Sequence, residues 1–218
     1  MICMSYIVAK QFSKTIKGNI ILDHINLQLA KGKIYGFVGK NGSGKTMLFR
    51  AICGLIKPNE GSISVDGKLL HKDISFPESL GATIEAPGFW DELTGYENLE
   101  LLSKIKGLIG KKEINRALER VGLKQDDLRI YRKYSLGMKQ RLAIAQAIME
   151  SPDLLILDEP TNGLDAEGVD QIRQVLLEEN QRGATILIAS HNKEDISILA
   201  DKIYRVIDGK LTEEAKKA

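Results

Sequence analysis

Ile34-Tyr35-Gly36-Phe37-Val38-Gly39-Lys40-Asn41-Gly42-Ser43-Gly44-Lys45-Thr46 is the stretch that decides the fold. It opens on a compact apolar run of strand length and ends on residues that fit the spacing G-x-x-x-x-G-K-[ST]. Helical character follows over residues 46–55. A strand that feeds a helix through glycines is a nucleotide-binding shape. The glycines let backbone N–H groups turn toward phosphate oxygens, and the helix presents its positive N-terminal end to the same anion. In such a loop Gly39, Lys40, Asn41, Gly42, Ser43 and Gly44 cradle phosphate. Lys45 is expected to bridge the β- and γ-phosphates, and the Thr46 hydroxyl to take Mg2+.

The partner of that loop lies far downstream, at Leu154-Leu155-Ile156-Leu157-Asp158-Glu159. Two carboxylates at the end of an apolar strand are costly unless a cation or a water site receives them. Asp158 is expected to hold Mg2+, directly or through water, and Glu159 to polarise the attacking water as general base. The competing reading is an acidic strand end facing solvent, since loops after strands are often charged.

Outward from these two points, short runs over residues 5–9 and 20–29 alternate apolar and polar about a turn at Lys17-Gly18-Asn19, which reads as an antiparallel β layer. Between residues 94 and 149 the period changes: Tyr96-Leu99-Ser103, Ile114-Leu118-Val121 and Met138-Leu142-Ala145-Met149 recur at three- and four-residue intervals. Residues 154–157 and 185–189 are continuous apolar runs suited to parallel strands covered on both faces, with Ile172, Val175 and Leu176 as a helical stripe between them. The expected fold is a single two-lobed α/β domain over 1–218. A mostly parallel core sheet and an antiparallel β layer occupy about 1–85 and 150–218, and a helical lobe is inserted over about 86–149. The polar tail at 213–218 is expected to fray.

The 218 residues suit one core-bearing domain, and 31 basic against 29 acidic residues leave a net charge of +2, which gives no broad electrostatic case for nucleic acid or an anionic membrane. Cys3 and Cys53 lack zinc spacing, so both read as plain thiols in a reducing compartment. No apolar run is long enough to span a membrane and no signal pattern opens the chain, so a soluble, non-exported protein is expected, one that reaches a membrane only through a separate spanning subunit.

Tyr134-Ser135-Leu136-Gly137-Met138-Lys139-Gln140-Arg141 would alone read as a helix start capped by Ser135. Placed between the phosphate loop and the Asp158-Glu159 strand end, it resembles the signature motif of ATP-binding-cassette (ABC) proteins. Asn162-Gly163-Leu164-Asp165 looks like that family's loop across the dimer interface, and Ser190-His191 like its switch histidine. The resemblance covers nearly the whole chain. It implies a P-loop NTPase of the ABC-ATPase type with a RecA-like core sheet, binding ATP and Mg2+ and hydrolysing ATP. It also implies a second ABC ATPase subunit, with a homodimer favoured, whose Ser135 and Gly137 close onto the γ-phosphate. Asp165 then lies in the interface loop, His191 reaches the γ-phosphate, and a transmembrane permease is driven from the cytoplasmic face of the membrane.

Where the family usually places a glutamine that touches Mg2+, this chain has Glu85. Leu136 stands for the first signature glycine, and Ile16 falls where an aromatic residue usually stacks on adenine. Phe12 or Tyr6 could substitute for that aromatic or simply pack in the core, and a GTP preference stays open. The variant motifs resemble the ATPase subunits of bacitracin and lantibiotic self-protection exporters. Pro87-Gly88-Phe89-Trp90 reads either as a docking surface for the permease or as local packing. A non-transport ABC ATPase and a regulatory nucleotide-binding cassette are the alternative functions.

Overall fold

The computed structural model of the protein describes residues 5–85 and 88–214. Cys3, Pro87 and the last four residues of the tail, named above, lie outside the described residues. Strand β1 (Ser5–Ile16) turns into β2 (Asn19–Ala30), and β3 (Ile34–Val38) leads through the glycine loop to helix α1 (Lys45–Ile52). Strands β4 (Glu60–Val65), β5 (Lys68–Leu69) and β6 (Leu80–Thr83) come next. Helices α2 (Gly95–Lys106) and α3 (Lys111–Arg120), a 3-10 turn at Tyr131–Lys133 and helix α4 (Leu136–Ile148) follow. The chain then alternates through β7 (Leu154–Asp158), α5 (Ala166–Gln181), β8 (Thr185–Ala189) and α6 (Lys193–Leu199), and finishes in the pair β9 (Lys202–Ile207) and β10 (Lys210–Glu214).

Two sheets result. One is antiparallel in the order β2-β1-β4-β5, and the other runs β10-β9-β3-β8-β7-β6, with every pair parallel except β10 and β9. The expected mixture of a mostly parallel core sheet and an antiparallel layer is what forms. β4, β5 and β6 were not anticipated.

Side-chain alternation explains how the core sheet is covered twice. Leu155 and Leu157 of β7 and Ile186 and Ile188 of β8 join a core with Leu99, Leu118, Leu142 and Ile172 of the helices. Their neighbours Leu154, Ile156, Leu187 and Ala189 point the other way, into a second core with Phe37, Phe49 and Ile52 and the inner face of the β layer. Both strands are buried on both faces, so their interiors are wholly apolar and polar groups stand only at the ends, Thr185 opening β8 and Asp158 closing β7. The helical stripe Ile172, Val175 and Leu176 is buried as expected.

Local chemistry sets the helix starts. Thr94 and Glu97 form a reciprocal capping box at α2, the Ser135 hydroxyl accepts from the Met138 N–H at 3.2 Å to start α4, and Asp165 accepts from the Gly168 N–H at 3.0 Å to start α5. Gly81 in β6 is dictated by packing: a Cβ there would stand 1.9 Å from the Ala147 carbonyl oxygen of α4. Cys53 is buried, and burial pushes its thiol up to about 12, which makes it a packing residue.

Candidate functional site

The loop between β3 and α1 is built to receive an anion. Gly44, the residue before α1, takes a left-handed conformation at φ 110°, and the helix start carries neither a side-chain cap nor an acidic residue in its first turn. Its N–H groups are therefore free to serve a ligand. The buried Ser43 hydroxyl has no hydrogen-bond partner. The Lys45 ammonium, itself buried, donates to the carbonyls of Gly39 at 2.8 Å and Lys40 at 3.1 Å. An orphaned donor, an uncapped helix start and a buried cation held by weak neutral acceptors all fit phosphate oxygens.

Across the cleft, the Thr46 hydroxyl donates to Asp158 Oδ2 at 2.5 Å. Burial pushes the Asp158 carboxyl above its ordinary range; its bond from Thr46 opposes this, the charges of Glu159 and Glu85 add to it, and Lys45 opposes it again. Carboxylate charge is thus in excess at this end of the cleft. Among the described residues no three His, Cys, Asp or Glu side chains converge into a ready cage. The donor set fits a hard cation such as Mg2+, held by the Thr46 hydroxyl and Asp158, with phosphate oxygens and water completing its shell.

Glu85 lines the same cleft of about 560 Å3 as Asn41, Gly42, Gly44, Lys45, Thr46, Asp158 and Glu159. Its carboxylate lies 2.6 Å from Arg50 Nη2, and its backbone sits at φ 65°. Arg50 is one turn beyond Thr46 on α1, so a single helix face presents partners to both Asp158 and Glu85. Sequence reasoning missed Arg50, because nothing local marks it.

Glu159 closes the site. Its Oε2 lies 2.8 Å from His191 Nδ1, and its Oε1 accepts from the His191 N–H at 3.0 Å. The Ser190 hydroxyl donates to Oε2 at 3.3 Å. Glu159 stands at φ 51°, left-handed for a residue with a Cβ, and the Gln140 amide donates to its carbonyl and to that of Pro160. This brings together Glu159 and His191, which are far apart in sequence.

Ser135, Gly137 and Asp165 do not join that cluster. They line a second cleft of about 580 Å3 with Leu123, Arg129 and Arg141. Leu136 is 67% exposed and rests on the loop of Gly163, where an added Cβ would meet Leu136 Cδ2 at 2.7 Å. Ile16 is exposed at the end of β1, paired with Asn19, and it is Ile21 that lines the first cleft. Phe12 and Tyr6 are buried in the core, so neither can offer a ring face to a base. In the segment 88–90, Phe89 packs edge-on to Tyr131 with centroids 5.2 Å apart, while Trp90 is 49% exposed and its backbone is held by the buried Asn98.

Comparison with known proteins adds to this geometry. The family described as ABC transporter matches residues 22–162. The chain is 51% identical over 199 residues to the ABC transporter ATP-binding protein YybJ of Bacillus subtilis, covering 91% of each chain. It is 42% identical over 217 residues to the bacitracin transport ATP-binding protein BcrA of Enterococcus faecalis, covering 98% of this chain and 70% of that one. The solved dimeric structure of the ATP-binding cassette MJ0796 in a post-hydrolysis state, bound to ADP and Pi, superposes with a TM-score of 0.88 at 25% identity, over 97% of this chain and 99% of that one.

Proposed function

This chain belongs to the ABC transporter family as an ATP-binding, ATP-hydrolysing subunit, and we propose that it powers a bacterial exporter of an antimicrobial peptide or other drug-like compound. The observation that carries the working scheme is the separation of the two clefts. One holds Lys45, Thr46, Asp158 and Glu159, with His191 against Glu159, the other holds Ser135, Gly137 and Asp165, and Leu136 stands between them and lines both. Each is half of a site, and two copies facing each other complete both.

In this scheme the loop of residues 39–44 cradles the phosphates, and Lys45 exchanges its carbonyl partners for β- and γ-phosphate oxygens. Thr46 and Asp158, with Glu85 alongside, would hold Mg2+, and the bound ion would supply positive charge to offset that of the phosphates. Glu159 accepts a proton from the water whose oxygen attacks the γ-phosphorus, and the bridging oxygen leaves with ADP. His191 holds the Glu159 carboxylate in place and reaches toward the γ-phosphate. Ser135 and Gly137 of the second copy close over the same phosphate from a helix N-terminus, with Asp165 in the loop between the copies. Ile16 is proposed to meet the base together with Ile21, which lines the cleft, and an apolar contact without a ring face leaves ATP and GTP poorly discriminated. Once the γ-phosphate is cleaved, the shared ligand of the two halves is gone and the pair opens.

Among the described residues no helix is long and apolar enough to cross a membrane. The transport role named for BcrA supports placing this chain at the cytoplasmic face, held there by a permease. In this reading the core lobe comprises about 1–85 and 150–218 and the helical lobe about 86–149, with exposed Trp90 at the junction toward the permease. The bacitracin transport role named for BcrA supports the class of cargo. The test of the paired site is the sedimentation of the Glu159→Gln variant with and without Mg·ATP. A shift from monomer to dimer on adding Mg·ATP, abolished by Ser135→Arg, supports the scheme; a species that stays monomeric while saturated with nucleotide rules it out.

A further inference from the structure

Asp195 is completely buried and has no part in the scheme above. It lies in the first turn of α6, four residues after His191. Its Oδ1 accepts from Arg173 Nη2 at 2.6 Å and Nε at 2.9 Å, and its Oδ2 accepts from the Thr161 hydroxyl at 2.5 Å. Thr161 is itself buried and follows Glu159 by two residues. A carboxylate removed from water needs each oxygen satisfied, and here one is given to a guanidinium of α5 and the other to the loop that follows the general base.

The topology makes this bond a second tie between the two loops that carry the catalytic pair. β7 and β8 are neighbouring parallel strands that end in register at Asp158 and Ala189, where the Glu159 N–H donates to the Ala189 carbonyl at 2.8 Å. Beyond this point the chains diverge, one through Glu159, Pro160 and Thr161 and the other through Ser190, His191 and Asn192 into α6. The Glu159–His191 contact bridges them at the cleft surface, and Thr161–Asp195 bridges them underneath, out of solvent. Glu159 needs such support, since its left-handed backbone is a conformation that persists only where the surroundings over-determine it.

We infer that Thr161 and Asp195 are positioning residues for hydrolysis: their buried bond, anchored by Arg173, fixes the Glu159 carboxylate against His191 and so sets the chemical step without contributing to nucleotide binding. The phosphate loop and Thr46 make no hydrogen bond to Thr161 or Asp195, and α6 packs on β3 through Ile196 against Gly36, a contact that removing a hydroxyl from Thr161 does not disturb. Loosening it therefore displaces the base and leaves the cradle intact. This rests on reading Glu159 as the general base.

Asp195→Asn endangers folding, because it also weakens the Arg173 pair, so the variant of choice is Thr161→Val, which keeps shape and that ion pair while removing the hydroxyl. Thr161→Ser serves as the conservative rescue, with Glu159→Gln measured alongside. Steady-state kcat, ATP affinity from a fluorescent ATP analogue, and Tm are recorded for each. A misplaced base costs about tenfold or more in rate. Thr161→Val is expected to lose at least that in kcat with ATP affinity within about twofold of wild type, and Thr161→Ser to recover the rate. The inference is overturned if Thr161→Val turns over like wild type while Glu159→Gln is inactive, if kcat and ATP affinity fall together, or if serine gives no recovery. An active Glu159→Gln would remove the general-base reading and this inference with it.

Discussion

Arg50 Nη2 stands 2.6 Å from Glu85 Oε2, so the acidic residue that faces the metal end of the cleft already has a cation of the protein's own. The pair is largely solvent-accessible, which limits its worth to about 0–1 kcal/mol and leaves the carboxylate exchangeable. In the proposed scheme Glu85, which lines the nucleotide cleft, adds negative charge beside the γ-phosphate whenever no metal offsets it. ATP binding is accordingly expected to depend more on Mg2+ in the wild type than in Glu85→Gln. Arg50→Gln should deepen that dependence by about two- to fivefold. Fluorescent-nucleotide titrations with Mg2+ and with EDTA decide this, and an equal dependence in all three proteins would contradict it.

Asp158 makes a prediction about stability. Its carboxyl is raised above the ordinary value of 3.8, chiefly by burial, so the folded chain holds a proton that the unfolded chain has already lost. Stability therefore falls as pH rises from 3.8 through the raised value, and the deficit persists above it. Without nucleotide or Mg2+, Asp158→Asn should melt higher than wild type at neutral pH, and the gain should vanish below the ordinary carboxyl value. A lower Tm for the variant at neutral pH would show that the carboxylate stabilises the fold.

Leu136 is mostly exposed between Ser135 and Gly137, and in the proposed dimer its apolar side chain stands where those two residues approach the phosphate of a second copy. Leu136→Gly removes that bulk at a cost of about 1 kcal/mol in helix stability. Closure should tighten and kcat rise several-fold, read from the ATP-dependent dimerisation constant and steady-state turnover. Unchanged dimerisation would mean that Leu136 does not meet the partner.

Glu179 joins α5 to α3. It is 2% exposed and accepts from Arg120 Nη1 at 2.5 Å and Arg182 Nη2 at 2.7 Å. Glu179→Ala removes the buried acceptor of both guanidinium groups, but Arg120 keeps Glu178 and Arg182 keeps the Pro152 carbonyl, so a loss of about 1–3 kcal/mol is expected in denaturant unfolding. The pair lies away from the phosphate loop, so ATP affinity of the folded fraction should not change.

Much of the site could be read in the chain because its chemistry is contiguous. The phosphate loop and the Asp158-Glu159 strand end are each one unbroken stretch, and continuous apolar strands fixed where they sit in the sheet. What escaped depends on tertiary contact. Strand β6 is four residues long and contains Gly81, whose presence answers to the Ala147 carbonyl of α4 rather than to any strand preference. Arg50 finds Glu85 and Thr161 finds Asp195 only after the sheet is assembled. The contrast between Ile16 and Ile21 has the same origin: register shifts along β1 and β2 decide which apolar residue of the hairpin reaches the cleft, and alternation alone does not fix them.

The most direct test of two half-sites completing each other is the rate of ATP hydrolysis by purified protein across a series of protein concentrations, with Glu159→Gln as control. The account predicts a rate that rises more than linearly with concentration, and a variant that binds ATP but is nearly inactive. A rate strictly proportional to protein concentration, from a species that remains monomeric, would contradict it.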